Sequence, residues 1–172
     1  MKNKLFDQKG KEIPERPSMS NKDVSTLIIT KAVDKLFTRN YCPFNEDEKD
    51  ELINSLKSHY SLNCDEYELA KSFEDDGWDV DRDFISKLED VTGGISSAFR
   101  EHEHAWGKKH KPQPPFSVGT ALIVPCFSGN ERGVITGIYS YDPAWFTVRL
   151  DSADASDTSS RLIRFEDAKA AI

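Results

Sequence analysis

Two groups of residues in this 172-residue chain have side chains that bind metals or move protons. Asp79, Asp81, Asp83 and Asp90 fall on positions 1, 3, 5 and 12 of a calcium loop, where alternating carboxylates would wrap a hard cation in oxygen ligands. That loop needs glycine at position 6 for its sharp turn; this chain has Phe84 there, followed by a helical pattern through Asp90. Acids at a helix start, complementing its dipole, account for the run. His102, His104 and His110 lie near Glu101 and Glu103, residue types suited to zinc ligation or acid–base catalysis. A two-residue spacing sends His102 and His104 to different sides of a helix, and no HExxH brings two imidazoles to one ion. His102 reads as a hydrogen-bonded interior histidine. GxSxG, a Walker-type glycine loop and GxGxxG are all absent. Cys42, Cys64 and Cys126 show no CxxC spacing and are odd in number, which predicts thiols in a reducing compartment, with neither a disulfide framework nor a zinc site. The expectation is a non-enzyme with no catalytic residue, metal or cofactor. An enzyme with a dispersed site built from His102, His104 and nearby carboxylates ranks last, and would need a pocket holding those side chains.

The sequence is richer in surfaces than in chemistry. Phe146, Val148 and Leu150 share one face of a strand, and Trp145, Thr147 and Arg149 share the other. If the first set fills the interior, Trp145 stands outside near Tyr139 and Tyr141. With Arg132 and Arg149 these make the composition of a binding hot spot or a base-stacking platform. Alternatively, Trp145 packs against the helical half and covers the connector. The second surface is acidic. Residues 46–90 hold sixteen Asp/Glu against five Lys/Arg, whereas residues 1–45 hold five against nine and residues 91–172 nine against nine. Glu46, Asp47, Asp50, Glu74, Asp75 and Asp76 stand for this run. Carboxylates on a rigid helical surface imitate a phosphate array and suit a basic cleft; the plain alternative is a solvated face. A net charge of −7 and a pI near 5.1 exclude broad, sequence-independent DNA binding.

The elements that must position these residues follow from periodicity. Residues 1–19 predict a small hairpin or an extended arm. Ser20 offers an N-cap for a helix carrying Val24, Leu27, Ile28, Ala32, Val33, Leu36 and Phe37 inward and ending near Arg39. Asn45 and Glu48 form a capping box before a helix with Leu52, Ile53, Leu56 and Tyr60. A third helix fits Asn63 to Asp76, with Tyr67, Ala70 and Phe73 inward and Gly77 as its stop. The longest seam runs Phe84, Leu88, Val91, Ile95, Ala98, His102 and Ala105, with Gly93-Gly94 inside it as a kink or a joint. It ends at Trp106-Gly107, before a stiff connector at 110–115. No apolar run approaches a membrane span, so a cytoplasmic protein is the default.

After the connector the pattern turns to strands at 121–126, Gly133 to Tyr141, Trp145 to Leu150 and Arg161 to Phe165. Gly119, then Gly133-Val134-Ile135-Thr136-Gly137-Ile138, Phe146 to Asp151 and a closing Ile163 to Asp167 resemble a KOW- or Tudor-type small barrel over the last third of the chain. Such a resemblance implies a docking module for proteins, RNA or nucleic-acid machinery, with no active site of its own. The predicted class is α+β: an arm (1–19), an acidic bundle of about four to five helices (20–109), the connector (110–115) and a small antiparallel β-barrel (116–172). The expected role is docking on a protein partner, such as a nucleic-acid-handling enzyme, as a phage or mobile-element inhibitor of anti-CRISPR or anti-restriction type would. Direct RNA or DNA binding through the barrel aromatics and arginines is the alternative.

Overall fold

The computed structural model describes residues 2–62, 64–127, 129–154 and 156–171. The fold is α+β: four α-helices precede a five-stranded antiparallel sheet. The chain divides into two compact units, residues 17–102 and residues 1–16 with 103–172. Among the described residues no helix is long and apolar enough to cross a membrane.

The helical unit contains α1 (Lys22–Phe37), a 3-10 turn (Glu46–Glu48), α2 (Lys49–His59), α3 (Glu66–Asp75) and most of α4 (Arg82–His110). The cap of α1 is Asn21, one residue after the expected Ser20, because its Oδ1 accepts the N–H groups of Asp23 and Val24. Asn45 and Glu48 do form the capping box, on the 3-10 turn that leads into α2. Asp65 caps α3 by accepting the Glu68 N–H, and the expected start at Asn63 lies outside the described residues. Asp81 caps α4, its carboxylate accepting the Phe84 N–H at 2.7 Å. Of the aspartate run, Asp81 thus serves as the cap and Asp83 lies in the first turn.

Ile28, Val33, Leu52, Leu56, Leu69, Phe73, Leu88 and Ile95 close the core of this unit, with Trp78 packed at its edge. Leu27 and Tyr67, expected inward, are exposed; Tyr67 lies under the Lys71 ammonium at 4.4 Å. The α4 seam is buried from Phe84 to Ala98 in the helical core, but Ala105 is exposed; Trp106 beside it is buried in the core of the sheet unit. His102 is half-buried. α4 continues through Gly93-Gly94 and past Gly107 to His110 as one helix.

In the other unit the strands are β1 (Ala121–Cys126), β2 (Gly129–Ile138), β3 (Trp145–Leu150), β4 (Arg161–Arg164) and β5 (Lys169–Ala170), in the order β4-β3-β2-β1-β5. β2 starts and stops earlier than expected. Phe165 opens a 3-10 turn in place of ending a strand, and β5 is an addition. Five strands laid flat would separate the outer two by about 19 Å. Here the outer two are joined by the short turn Phe165–Asp167, so the sheet must curl. Thr136 is the extra residue of a β-bulge between Ile135 and Gly137, which adds twist where the curl needs it. The result is an open, curled half-barrel whose two edges are β4 and β5.

The N-terminal residues complete this unit. Asp7 to Lys11 form a tight hairpin around Gly10, and Leu5 and Ile13 join Leu122, Val124, Phe146, Val148 and Phe165 in its core. The Asn3 side chain donates to the Ala168 carbonyl at 2.6 Å. Pro112 to Pro114 also lie inside this unit, with the Gln113 N–H on the Phe6 carbonyl at 2.8 Å.

Candidate binding groove

Charge also separates by unit. Residues 17–102 carry nineteen Asp/Glu against ten Lys/Arg, while residues 1–16 and 103–172 carry eleven against thirteen. Several helical-unit cations are engaged internally: Lys49 pairs with Asp34 at 2.8 Å, and Lys31 and Lys35 both reach Glu101. Those lysines hold the Glu101 carboxyl below the usual range, with the Lys31 hydrogen bond the main cause. Glu46, Asp47, Asp50, Glu74 and Asp75 remain exposed.

Asp76 has a structural task. It accepts the Ser55 hydroxyl at 2.8 Å and meets His59 Nε2 at 3.0 Å, and Ser55 in turn accepts the Trp78 indole N–H at 3.2 Å. The Ser55 bond, then that of His59, hold its carboxyl below the usual range. The residue types match a hydrolase triad but the connectivity does not. Aspartate sits between serine and histidine, so the imidazole does not touch the hydroxyl it would have to deprotonate.

In the sheet unit, a groove of about 580 Å³ opens between the end of α4 and the 139–144 loop. One wall is Lys108, Lys111, Pro112 and Pro114; the other is Ile138, Tyr139 and Tyr141. Backbone geometry shapes both walls. Lys111 leaves the helix at a φ of 45°, its N–H still on the Gly107 carbonyl at 2.9 Å, and this turns the chain into the prolines. Ala144 ends the opposite loop at a φ of 61°. Both are non-glycine residues in the left-handed region, where a side chain costs energy that surrounding contacts must offset.

For Ala144 the contacts come from a residue far away in sequence. The buried Arg16 guanidinium donates to the Pro143 and Ala144 carbonyls, each at 2.9 Å, and pairs with Glu166 at 2.5 Å. It also lies against the rings of Trp106 and Trp145, at 5.2 and 5.5 Å. Arg164 stacks on Trp145 too, at 4.9 Å. Trp145 is thus half-buried between two guanidinium groups. Tyr139 and Tyr141 instead face each other in the groove, ring centroids 5.5 Å apart.

Neither arginine expected beside them lines the groove. Arg132 pairs with Asp151, and Arg149 donates to the Asp154 carbonyl at 2.8 Å. The cations on the groove are Lys108, in the last turn of α4, and Lys111, from the stretch read as a connector; the His104 imidazole lines it as well. Their signal was present as the acid-free run from His104 to Pro114.

His104 Nε2 meets Asp142 Oδ1 at 3.1 Å on the groove. Ser140 also lines it, yet among the described residues no hydrogen bond links Ser140 to His104. His102 is not part of the lining. Among the described residues no group of three or more His, Cys, Asp or Glu is placed to hold a metal ion. What the arrangement can do is grip: rings, proline faces and ammonium groups converge on one concavity.

No protein-family model, curated protein or solved structure matches this chain.

Proposed function

We propose that the chain is a non-enzymatic interaction protein that docks on a protein partner. The observation that carries this reading is the groove between Lys108–Pro114 and Ile138–Tyr141, which presents exposed apolar and cationic side chains. Aromatic and apolar anchors inside a concavity are the usual centre of a protein docking site. The likeness of the last third to KOW- and Tudor-type docking modules points the same way, and the curled antiparallel sheet is compatible with it.

The acidic helical unit supports a second contact on the same partner. Its excess of nine carboxylates suits a basic cleft. A nucleic-acid-handling enzyme has such a cleft, and an inhibitor of host defence of anti-CRISPR or anti-restriction type would occupy it. The pairing of Lys108 and Lys111 with two tyrosines also favours one alternative, direct binding of single-stranded nucleic acid.

Affinity purification of the full chain, with and without nuclease, separates the two. The docking reading expects a partner retained after nuclease treatment and lost with Tyr139→Ala/Tyr141→Ala, and weakened by lysine at Glu46, Asp47, Asp50, Glu74 and Asp75. Retention of nucleic acid alone, or indifference to all these changes, refutes it.

A further inference from the structure

The geometry points to an extended peptide bearing Asp or Glu beside an apolar or aromatic residue as the occupant of this groove, an inference that rests on the docking reading above. Charge complementarity is the first argument. Lys108 and Lys111 line the groove, and residues 104–114 contain no acid. The one carboxylate in the lining, Asp142, meets His104 at 3.1 Å. A cationic ligand would face two ammonium groups, whereas one or two carboxylates would match them. The second argument is apolar. Ile138 is 54% exposed and Tyr141 68% exposed on the facing wall, enough ring and methyl surface to seat one hydrophobic side chain.

Backbone chemistry limits how such a peptide is held. Pro112 and Pro114 have no N–H, and the Gln113 N–H is taken by the Phe6 carbonyl. On the other wall the Tyr139 N–H is taken by the Trp145 carbonyl at 2.8 Å. These positions have no backbone donor left for strand addition, so at them recognition falls to side chains. An extended chain supplies them on alternate sides. The volume, about 580 Å³, lies in the range of roughly 300–1,000 Å³ that holds a drug-sized molecule, room for a few residues. Single-stranded nucleic acid fits less well: it needs a run of cations along its backbone, and Arg132 and Arg149 are engaged with Asp151 and Asp154.

The test titrates the ¹⁵N-labelled full chain with three probes: the blocked peptide EDFEDL, its charge-reversed form KRFKRL, and a short oligothymidylate. The expected result is that EDFEDL shifts signals within 104–114 and 138–144. Lys108→Glu/Lys111→Glu should weaken EDFEDL by about tenfold or more and favour KRFKRL, for loss of roughly 1.4 kcal/mol or more. Tyr141→Ala should weaken both peptides. Tighter binding of KRFKRL or oligothymidylate to the wild-type chain overturns the inference. So does the absence of any shift up to about 1 mM peptide, a limit equivalent to about −4 kcal/mol of binding. If no probe binds but partner retention still requires Tyr139 and Tyr141, the acidic peptide alone is refuted; if retention is indifferent as well, the docking reading falls with it.

Discussion

Gly107→Ala tests the physical basis of the groove, because helix propensity and local packing predict opposite signs for it. In an unobstructed helix, alanine stabilises by about 1 kcal/mol relative to glycine. At position 107 the new methyl carbon would lie 2.8 Å from Pro143 Cγ and nearer still to Pro143 Cβ. Carbon atoms pack at about 3.5–4.0 Å, so Pro143 would have to retreat by about an ångström. The carbonyls of Pro143 and Ala144 are pinned by Arg16, and the proline cannot yield without disturbing those bonds. Overpacking of this kind costs about 1–3 kcal/mol, leaving a net loss of up to about 2 kcal/mol after the propensity gain. Gly93 and Gly94 are controls on the same helix, since a methyl group at either meets nothing within 4 Å. Gly93→Ala and Gly94→Ala should each stabilise by about 1 kcal/mol. Urea unfolding followed by fluorescence reports both units, because Trp78 belongs to the helical core and Trp106 and Trp145 to the sheet unit. Gly107→Ala should lower the midpoint of the Trp106/Trp145 transition and weaken partner retention. Stabilisation by Gly107→Ala to the same degree as the controls would refute the close-approach argument.

Two further substitutions test the networks behind this geometry. Arg16→Ala leaves Glu166 buried without its partner and should cost about 3–5 kcal/mol in the sheet unit by urea unfolding. Arg16→Met/Glu166→Leu should recover the part due to the buried Glu166 charge but not the part due to Glu103 and the Pro143 and Ala144 carbonyls, and no recovery would count against a charge-burial origin. The depressed Asp76 carboxyl contributes stability that is present above its unfolded pKa, near 3.8, and is lost as pH falls through the lower folded value. The difference in Trp78 unfolding midpoint between wild type and Asp76→Asn should therefore shrink below about pH 4, and a difference constant from pH 7 to pH 2 would argue against that linkage.

Local rules were legible in the sequence. The Asn45–Glu48 capping box, the stop at Gly77 with a φ of 96°, and the buried stripe from Phe84 to Ala98 each depend on neighbours within a turn or two. Alternation likewise placed β3 at Trp145–Leu150 with Phe146 and Val148 inward. Where propensity competes with tertiary packing, the pattern misled: Tyr67 and Leu27 keep helical spacing yet face solvent.

The sequence by itself determined the four helices, most of the strands, the Asn45–Glu48 capping box and the excess of acid in the middle third, because those follow from local chemistry and composition. Only the tertiary structure decided what meets what. It joined Arg16 to Glu166 across 150 residues, set Trp145 between Arg16 and Arg164, and brought Lys108 and Lys111 opposite Tyr139 and Tyr141. No periodicity encodes these pairings. They depend on how the sheet curls and on where one glycine lets a helix approach a proline.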